Sequence, residues 1–175
     1  MEKIVVLSCT NRPDSNTLKV SGIYRRLLAE RGVGSELFDL RELPADVAFS
    51  ESDGRRSAAF AALMEKYVLP YHRFVFVLPE YNGSFPGILK VFIDSTHPRE
   101  WENKFACLVG IAEGRAGNLR GLEHLTGILN YMRVHVYHNK LPISAITRII
   151  GNTGDFIHEA QLQACAAQIE GFLNF

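Results

Sequence analysis

At 175 residues the chain has the length of one compact domain with room for a sizeable core. Hydrophobic residues at 47% and charged residues at 22% match soluble globular proteins and exclude disordered and collagen-like classes. Lys plus Arg and Asp plus Glu number 19 each, so the formal net charge is +0, without the basic excess of a nucleic-acid-binding surface.

The first apolar run, Ile4 to Leu7 after Met1-Glu2-Lys3, is too short for a secretory signal. Lys3 to Ser8 reads instead as a strand buried on both faces of a parallel sheet. The following loop, Cys9 to Thr17, is dense in hydroxyls and amides and carries one guanidinium, Arg12. Leu18 to Arg31 then spaces apolar residues as a helix does. A helix N-terminus presents unpaired N–H groups and a partial positive charge, and Thr10, Ser15, Asn16 and Thr17 add neutral donors, so the loop suits a phosphate. An ordinary helix cap would need only Ser15 or Asn16. Neither G-x-G-x-x-G nor G-x-x-x-x-G-K-[ST] occurs, which argues against a dinucleotide fingerprint and a P-loop.

Gly34 to Leu40 is a weaker, alternating strand; 41 to 54 lacks periodicity, and Arg55 to Val68 is helical. Arg73 to Pro79 is again a continuous apolar strand. It runs into Pro79-Glu80-Tyr81-Asn82-Gly83-Ser84-Phe85-Pro86, where prolines stiffen the chain and Gly83 permits tight geometry. Such a loop offers backbone groups to the edge of a flat heterocycle while Tyr81 covers part of it; a plain turn is the simpler reading. Pro86 to Ser95 is helical, with Pro86 suited to its first turn and Pro98 closing the region. Trp101 reads as a packing residue or as a border to a pocket or subunit contact.

Phe105 to Ile111 is a fourth strand. Ala112 to Asn118 follows, placing Gly114, Arg115 and Gly117 before the helix Asn118 to Met132. A fifth strand is expected at Arg133 to Tyr137. After an aperiodic stretch, 138 to 153, Thr153-Gly154-Asp155 reads as the start of a last helix reaching Phe172. Strand and helix alternate throughout, which implies a doubly wound α/β sandwich with a parallel sheet. No repeat or linker divides the chain, so 1–175 is expected to form a single domain. Ligands of such sheets bind beyond the strand carboxyl ends, where strand order reverses, and the three loops above lie there.

No run approaches the roughly 20 apolar residues that cross a bilayer, and a cytoplasmic protein is expected. Cys9, Cys107 and Cys165 have no C-x-x-C spacing and read as buried thiols. No H-E-x-x-H occurs, and no metal site is expected. Counting C-x-x-x-x-x-R from Cys9 reaches Ser15 in place of arginine, which argues against a tyrosine phosphatase loop.

The chain resembles the NADPH-dependent FMN reductase family, the flavodoxin-like group that includes chromate, quinone and azo reductases. The resemblance rests on Thr10-Asn11-Arg12 followed by Ser15-Asn16-Thr17, and above all on Pro79-Glu80-Tyr81-Asn82, Pro86-Gly87-Ile88-Leu89-Lys90 and Ile93-Asp94. It implies a flavodoxin-like three-layer sandwich with a five-stranded sheet in the order 2-1-3-4-5. It also implies FMN as cofactor, its phosphate held by Thr10, Arg12, Ser15, Asn16 and Thr17. The isoalloxazine would be bordered by Pro79, Glu80, Tyr81, Asn82 and Gly83, and by Gly114, Arg115 and Gly117. NADPH or NADH would supply electrons for a small acceptor, a quinone, azo or nitro compound, metal ion or free flavin, in a homodimer or homotetramer. No catalytic side chain is assigned, because the cofactor carries the chemistry. The other reading is an electron-transfer or regulatory FMN-binding protein without NAD(P)H turnover.

Overall fold

The structure, a computed structural model, describes residues 3–51, 56–151 and 153–175. β1 (Ile4–Ser8) leads into α1 (Asn16–Glu30), β2 (Ser35–Asp39) and the short α2 (Val47–Ser50). Next come α3 (Ala58–Tyr67), β3 (Arg73–Pro79), α4 (Gly87–Asp94), β4 (Phe105–Ile111) and α5 (Leu119–Tyr131). The chain ends with β5 (His135–Val136), β6 (Leu141–Ile143), α6 (Ile146–Ile149) and α7 (Glu159–Leu173). Arg55, expected at the start of the second helix, lies outside the described residues; Ser57 caps α3, its Oγ accepting from the Phe60 amide at 3.2 Å.

The strands are parallel in the order β2-β1-β3-β4-β5, as the resemblance implies, with β6 also pairing with β4. From β1 the chain steps outward to β2 and then back across β1 to β3. Right-handed crossovers therefore put α1 on one face and α3 on the other. Side chains alternate across β1: Ile4 and Val6 join a core with Val20, Ile23 and Leu27 of α1 and with Ile169 and Phe172 of α7. Val5 and Leu7 face the opposite core, with Phe60 and Met64 of α3, Phe92 of α4 and Leu125 of α5. Trp101 is 1% exposed; its ring lies 5.2 Å from Phe74 and its Nε1 donates to Thr96 Oγ1 at 2.8 Å, so it is a packing residue.

The far edge departs from the expected single strand. β5 pairs with Phe105 and Ala106, whereas β6 pairs with Val109 to Ile111, so one edge position is filled by two short pieces. At the break the Leu108 carbonyl faces the fully buried Gln168 of α7, whose Nε2 donates to Leu108 O at 3.0 Å and Asn139 O at 2.7 Å. The Tyr24 hydroxyl donates to Gln168 Oε1 at 2.5 Å, tying α1 to the same point. A side chain thus replaces the missing ladder partner, as a buried carbonyl requires.

The cap signal at Thr153-Gly154-Asp155 forms a turn instead of a helix. Gly154 has φ +86, the Gly154 amide donates to Gly151 O, and Asp155 is held by Arg26 at 2.6 Å. The bridge between Ile150 and Phe156 keeps the chain extended there, and α7 begins only at Glu159.

Candidate functional site

Beyond the carboxyl ends of β1, β3 and β4, at the reversal of strand order, lies a cleft of about 220 Å³. The Cys9 amide donates to Val77 O at 2.9 Å, extending the β1–β3 ladder by one residue. The Cys9 side chain is fully buried in the core and burial raises its thiol pKa, so it is no nucleophile for the cleft. Asp14, at φ +50, turns the chain so that Ser15 caps α1, its Oγ accepting from the Leu18 amide at 3.2 Å. The amides of Asn16 and Thr17, in the first turn, have no intrahelical acceptor. Arg12, Ser15, Asn16 and Thr17 line the cleft together, as the phosphate reading requires. Thr10 stands apart: 1% exposed and outside the lining, its Oγ1 accepts from the Arg12 amide at 3.2 Å and lies 2.7 Å from the Tyr81 hydroxyl.

The second wall is Pro79, Glu80 and Tyr81. Tyr81 and Ser84 exchange backbone hydrogen bonds of 2.8 and 3.1 Å around Asn82 (φ +52) and Gly83 (φ +78). Two successive positive φ values make a tight two-residue hairpin turn, for which Asn-Gly is the favoured sequence. Asn82 and Gly83 are outside the lining, and a side chain on Gly83 would point at Arg120, 3.5 Å from its Nε. α5 braces the hairpin at both ends: Arg120 donates to Glu80 Oε1 at 3.2 Å, and His124 Nδ1 lies 2.9 Å from Ser84 Oγ.

Ile111, Ala112 and Glu113 form the third wall, with Ile146 from α6. Glu113 is turned to α6, accepting from Thr147 Oγ1 at 2.7 Å and the Thr147 amide at 3.3 Å. Ser144 Oγ donates to the Arg115 carbonyl at 2.6 Å, and Gly117 packs on Pro142 and Ile143. Gly114, Arg115 and Gly117 are therefore not brought to the cleft lining. Asp14, Ile111, Ala112, Glu113 and Ile146 line it without having been singled out as site residues. For Asp14 and Glu113 their place in the polar loops was a signal; for Ile146, inside the aperiodic 138–153 stretch, there was none.

The Arg12 guanidinium and the α1 N-terminus offer positive charge to the cleft, alongside Asp14, Glu80 paired to Arg120, and Glu113 hydrogen-bonded to Thr147. A larger concavity, about 490 Å³, lies between α4 and α5. Its walls, Lys90, Asp94, His124, Ile128 and Tyr131 among them, come from helices and their ends, away from the strand termini where such folds bind ligands.

The sequence profile described as NADPH-dependent FMN reductase matches residues 2–147. A stretch of 64 residues is 39% identical to NAD(P)H-dependent FMN reductase PA1204 of Pseudomonas aeruginosa, covering 35% of this chain and 35% of that protein. Among solved structures, the flavoenzyme NAD(P)H:(acceptor) oxidoreductase FerB from Paracoccus denitrificans superposes with a TM-score of 0.84 at 20% identity, over 99% of this chain and 96% of that one. The apo form of the NADH:FMN oxidoreductase EMOB superposes with a TM-score of 0.77 at 17% identity, over 98% and 88% of the two chains. At such identities the structural likeness establishes the flavodoxin-like fold.

Proposed function

The chain belongs to the NADPH-dependent FMN reductase family, and from that premise we propose that it binds FMN in the β1–β3–β4 cleft and serves as an NAD(P)H-dependent reductase of a small acceptor. The observation that carries the reading is the convergence of Arg12, Ser15, Asn16 and Thr17 on the open first turn of α1, in a cleft whose other walls are Pro79, Glu80 and Tyr81 on one side and Ile111, Ala112, Glu113 and Ile146 on the other. The chemistry a bound FMN supplies is acceptance of hydride from a reduced nicotinamide and onward passage of two electrons.

The chain's own residues bind and orient. Arg12, Ser15, Asn16 and Thr17 hold the phosphate, with Thr10 directly behind them. Pro79, Glu80 and Tyr81, continued by the backbone of Asn82 and Gly83, border the ring. Ile111, Ala112 and Ile146 shield it from water. Gly114, Arg115 and Gly117, outside the cleft lining, continue the loop from Glu113 and would reach the ring only at its outer edge. No side chain is given a proton-transfer role. Quinone, azo and nitro compounds, a metal ion or free flavin are the acceptors in this reading. The working form is a cytoplasmic homodimer or homotetramer in which residues 1–175 act as one FMN-binding unit. No described helix is long and apolar enough to cross a membrane.

Steady oxidation of NADPH or NADH by FMN-loaded protein with a quinone tests the reading. Tight FMN binding without turnover would assign the protein to electron carriage or regulation instead. Arg12→Ala is expected to weaken FMN about 10- to 150-fold, the equivalent of one charge-assisted hydrogen bond. Riboflavin, which lacks the phosphate, should be affected less than about twofold by the same argument. Parallel fluorescence titrations of both flavins measure the difference.

A further inference from the structure

The two walls of the cleft are joined by a contact that the binding of FMN does not by itself require. Tyr81, at the base of the β3-loop hairpin, reaches the β1 loop 71 residues away, its hydroxyl 2.7 Å from Thr10 Oγ1. The Arg12 guanidinium carbon lies over the same tyrosine ring, 5.1 Å from its centroid, within the range of a cation–π contact. Thr10 is 1% exposed and outside the cleft lining, whereas Arg12 and Tyr81 are both in it.

We infer that Tyr81 is a positioning residue: its ring is the platform that aims the Arg12 guanidinium at the phosphate end of the cleft, and Thr10 pins the platform by its hydroxyl. This rests on the FMN reading above and deepens it, because it makes selectivity for a phosphorylated flavin depend on a residue of the opposite wall.

A threonine hydroxyl has one proton to donate and two lone pairs. One lone pair of Thr10 takes the Arg12 amide, and the tyrosine takes either the second lone pair or the proton. Thr10 is thus engaged with the loop on one side and the tyrosine on the other. Its contribution to the phosphate site passes through the ring it fixes. Arg12 is otherwise an exposed, long side chain with many rotamers. Resting its guanidinium on a fixed ring removes much of that freedom before the ligand arrives, and preorganisation of this kind raises affinity without adding a contact. The hairpin turn at Asn82 and Gly83 holds the backbone beneath the platform, and the Arg120 to Glu80 pair fixes its base.

The test is the ratio of FMN to riboflavin affinity in the full-length protein, since damage to the cleft as a whole weakens both flavins alike. Tyr81→Leu, which removes ring and hydroxyl, should weaken FMN about tenfold more than it weakens riboflavin, because any loss of contact with the flavin ring is common to both and cancels in the ratio. Tyr81→Phe keeps the platform and loses the pin, and Thr10→Val loses that hydrogen bond together with the one from the Arg12 amide. Each should lower the ratio about threefold or more, and the double variant should be no worse than Thr10→Val alone. In an Arg12→Ala background Tyr81→Leu should change the ratio less than about twofold.

An unchanged ratio in Tyr81→Leu would overturn the positioning role, as would a Thr10→Val loss that adds fully to that of Tyr81→Phe, the signature of Thr10 binding phosphate directly. Should Tyr81→Leu fail to fold, the Tyr81→Phe and Thr10→Val pair, which keep their side-chain shapes, decides alone. Equal affinity of the unaltered protein for FMN and riboflavin would instead remove the phosphate reading itself, an outcome distinct from any result with the variants.

Discussion

Gly117→Val is expected to lower folding stability by about 4 kcal/mol, combining about 1–2 for a left-handed backbone with about 1–3 for overpacking. Gly117 has φ +56, and a Cβ built there would meet the Ile143 amide at 2.7 Å and the Pro142 carbonyl carbon at 2.8 Å. The obstacles are backbone atoms of β6, which is itself held by pairing with Val109 to Ile111 and by the Ala112 amide on Ile143 O at 3.0 Å. Relief therefore requires moving a strand, with Ile146 and the third wall of the cleft behind it. In a domain of this size about 4 kcal/mol corresponds to a fall in Tm of roughly 8–16 °C. A thermal scan showing a fall under about 3 °C, the equivalent of about 1 kcal/mol, would mean that β6 shifts freely.

Gln168→Leu should cost about 3–4 kcal/mol although the side chain keeps nearly the same volume, because each buried polar group left without a partner costs about 1–3 kcal/mol. The change takes the strong acceptor from the Tyr24 hydroxyl, leaving it only the weak contact with the Cys165 sulfur, and removes the Gln168 bonds to the Leu108 and Asn139 carbonyls. Urea denaturation should show a lower midpoint with an unchanged slope. Adding Tyr24→Phe removes that hydroxyl, so the double variant should be less destabilised than the two single losses combined. Full additivity would show that the tyrosine and the glutamine do not act as a unit.

The central strands were legible because they are buried on both faces: continuous apolar runs placed Arg73–Pro79 and Phe105–Ile111 at their observed limits. The far edge was not legible. Two strand pieces of two and three residues carry no measurable periodicity, and what completes them is Gln168, a polar residue about thirty positions later in the chain. At the cleft, the lining residues set by helix-start geometry, Ser15 to Thr17, could be read from local sequence. The contact of Thr10 with Tyr81 could not, because it depends on which side chain comes across from the β3 loop. Nor could the turn of Glu113 towards α6, since its partner Thr147 lies in the aperiodic segment. Local patterns specify elements and caps; a contact between two loops is set only when the sheet brings them together.

Each of the three thiols is buried, with its pKa raised by desolvation. Alkylation requires the thiolate and access to it, so an alkylating reagent can label the native protein only through transient opening. The sulfurs are divided between the two cores: Cys9 lies in the one covered by α3, α4 and α5, Cys107 and Cys165 in the one covered by α1 and α7. Labelling rates followed by mass spectrometry therefore compare the lifting of one helical layer with that of the other. Equal rates at Cys9 and Cys107 mean that the sandwich opens as a whole, and unequal rates identify the layer that leaves the sheet first.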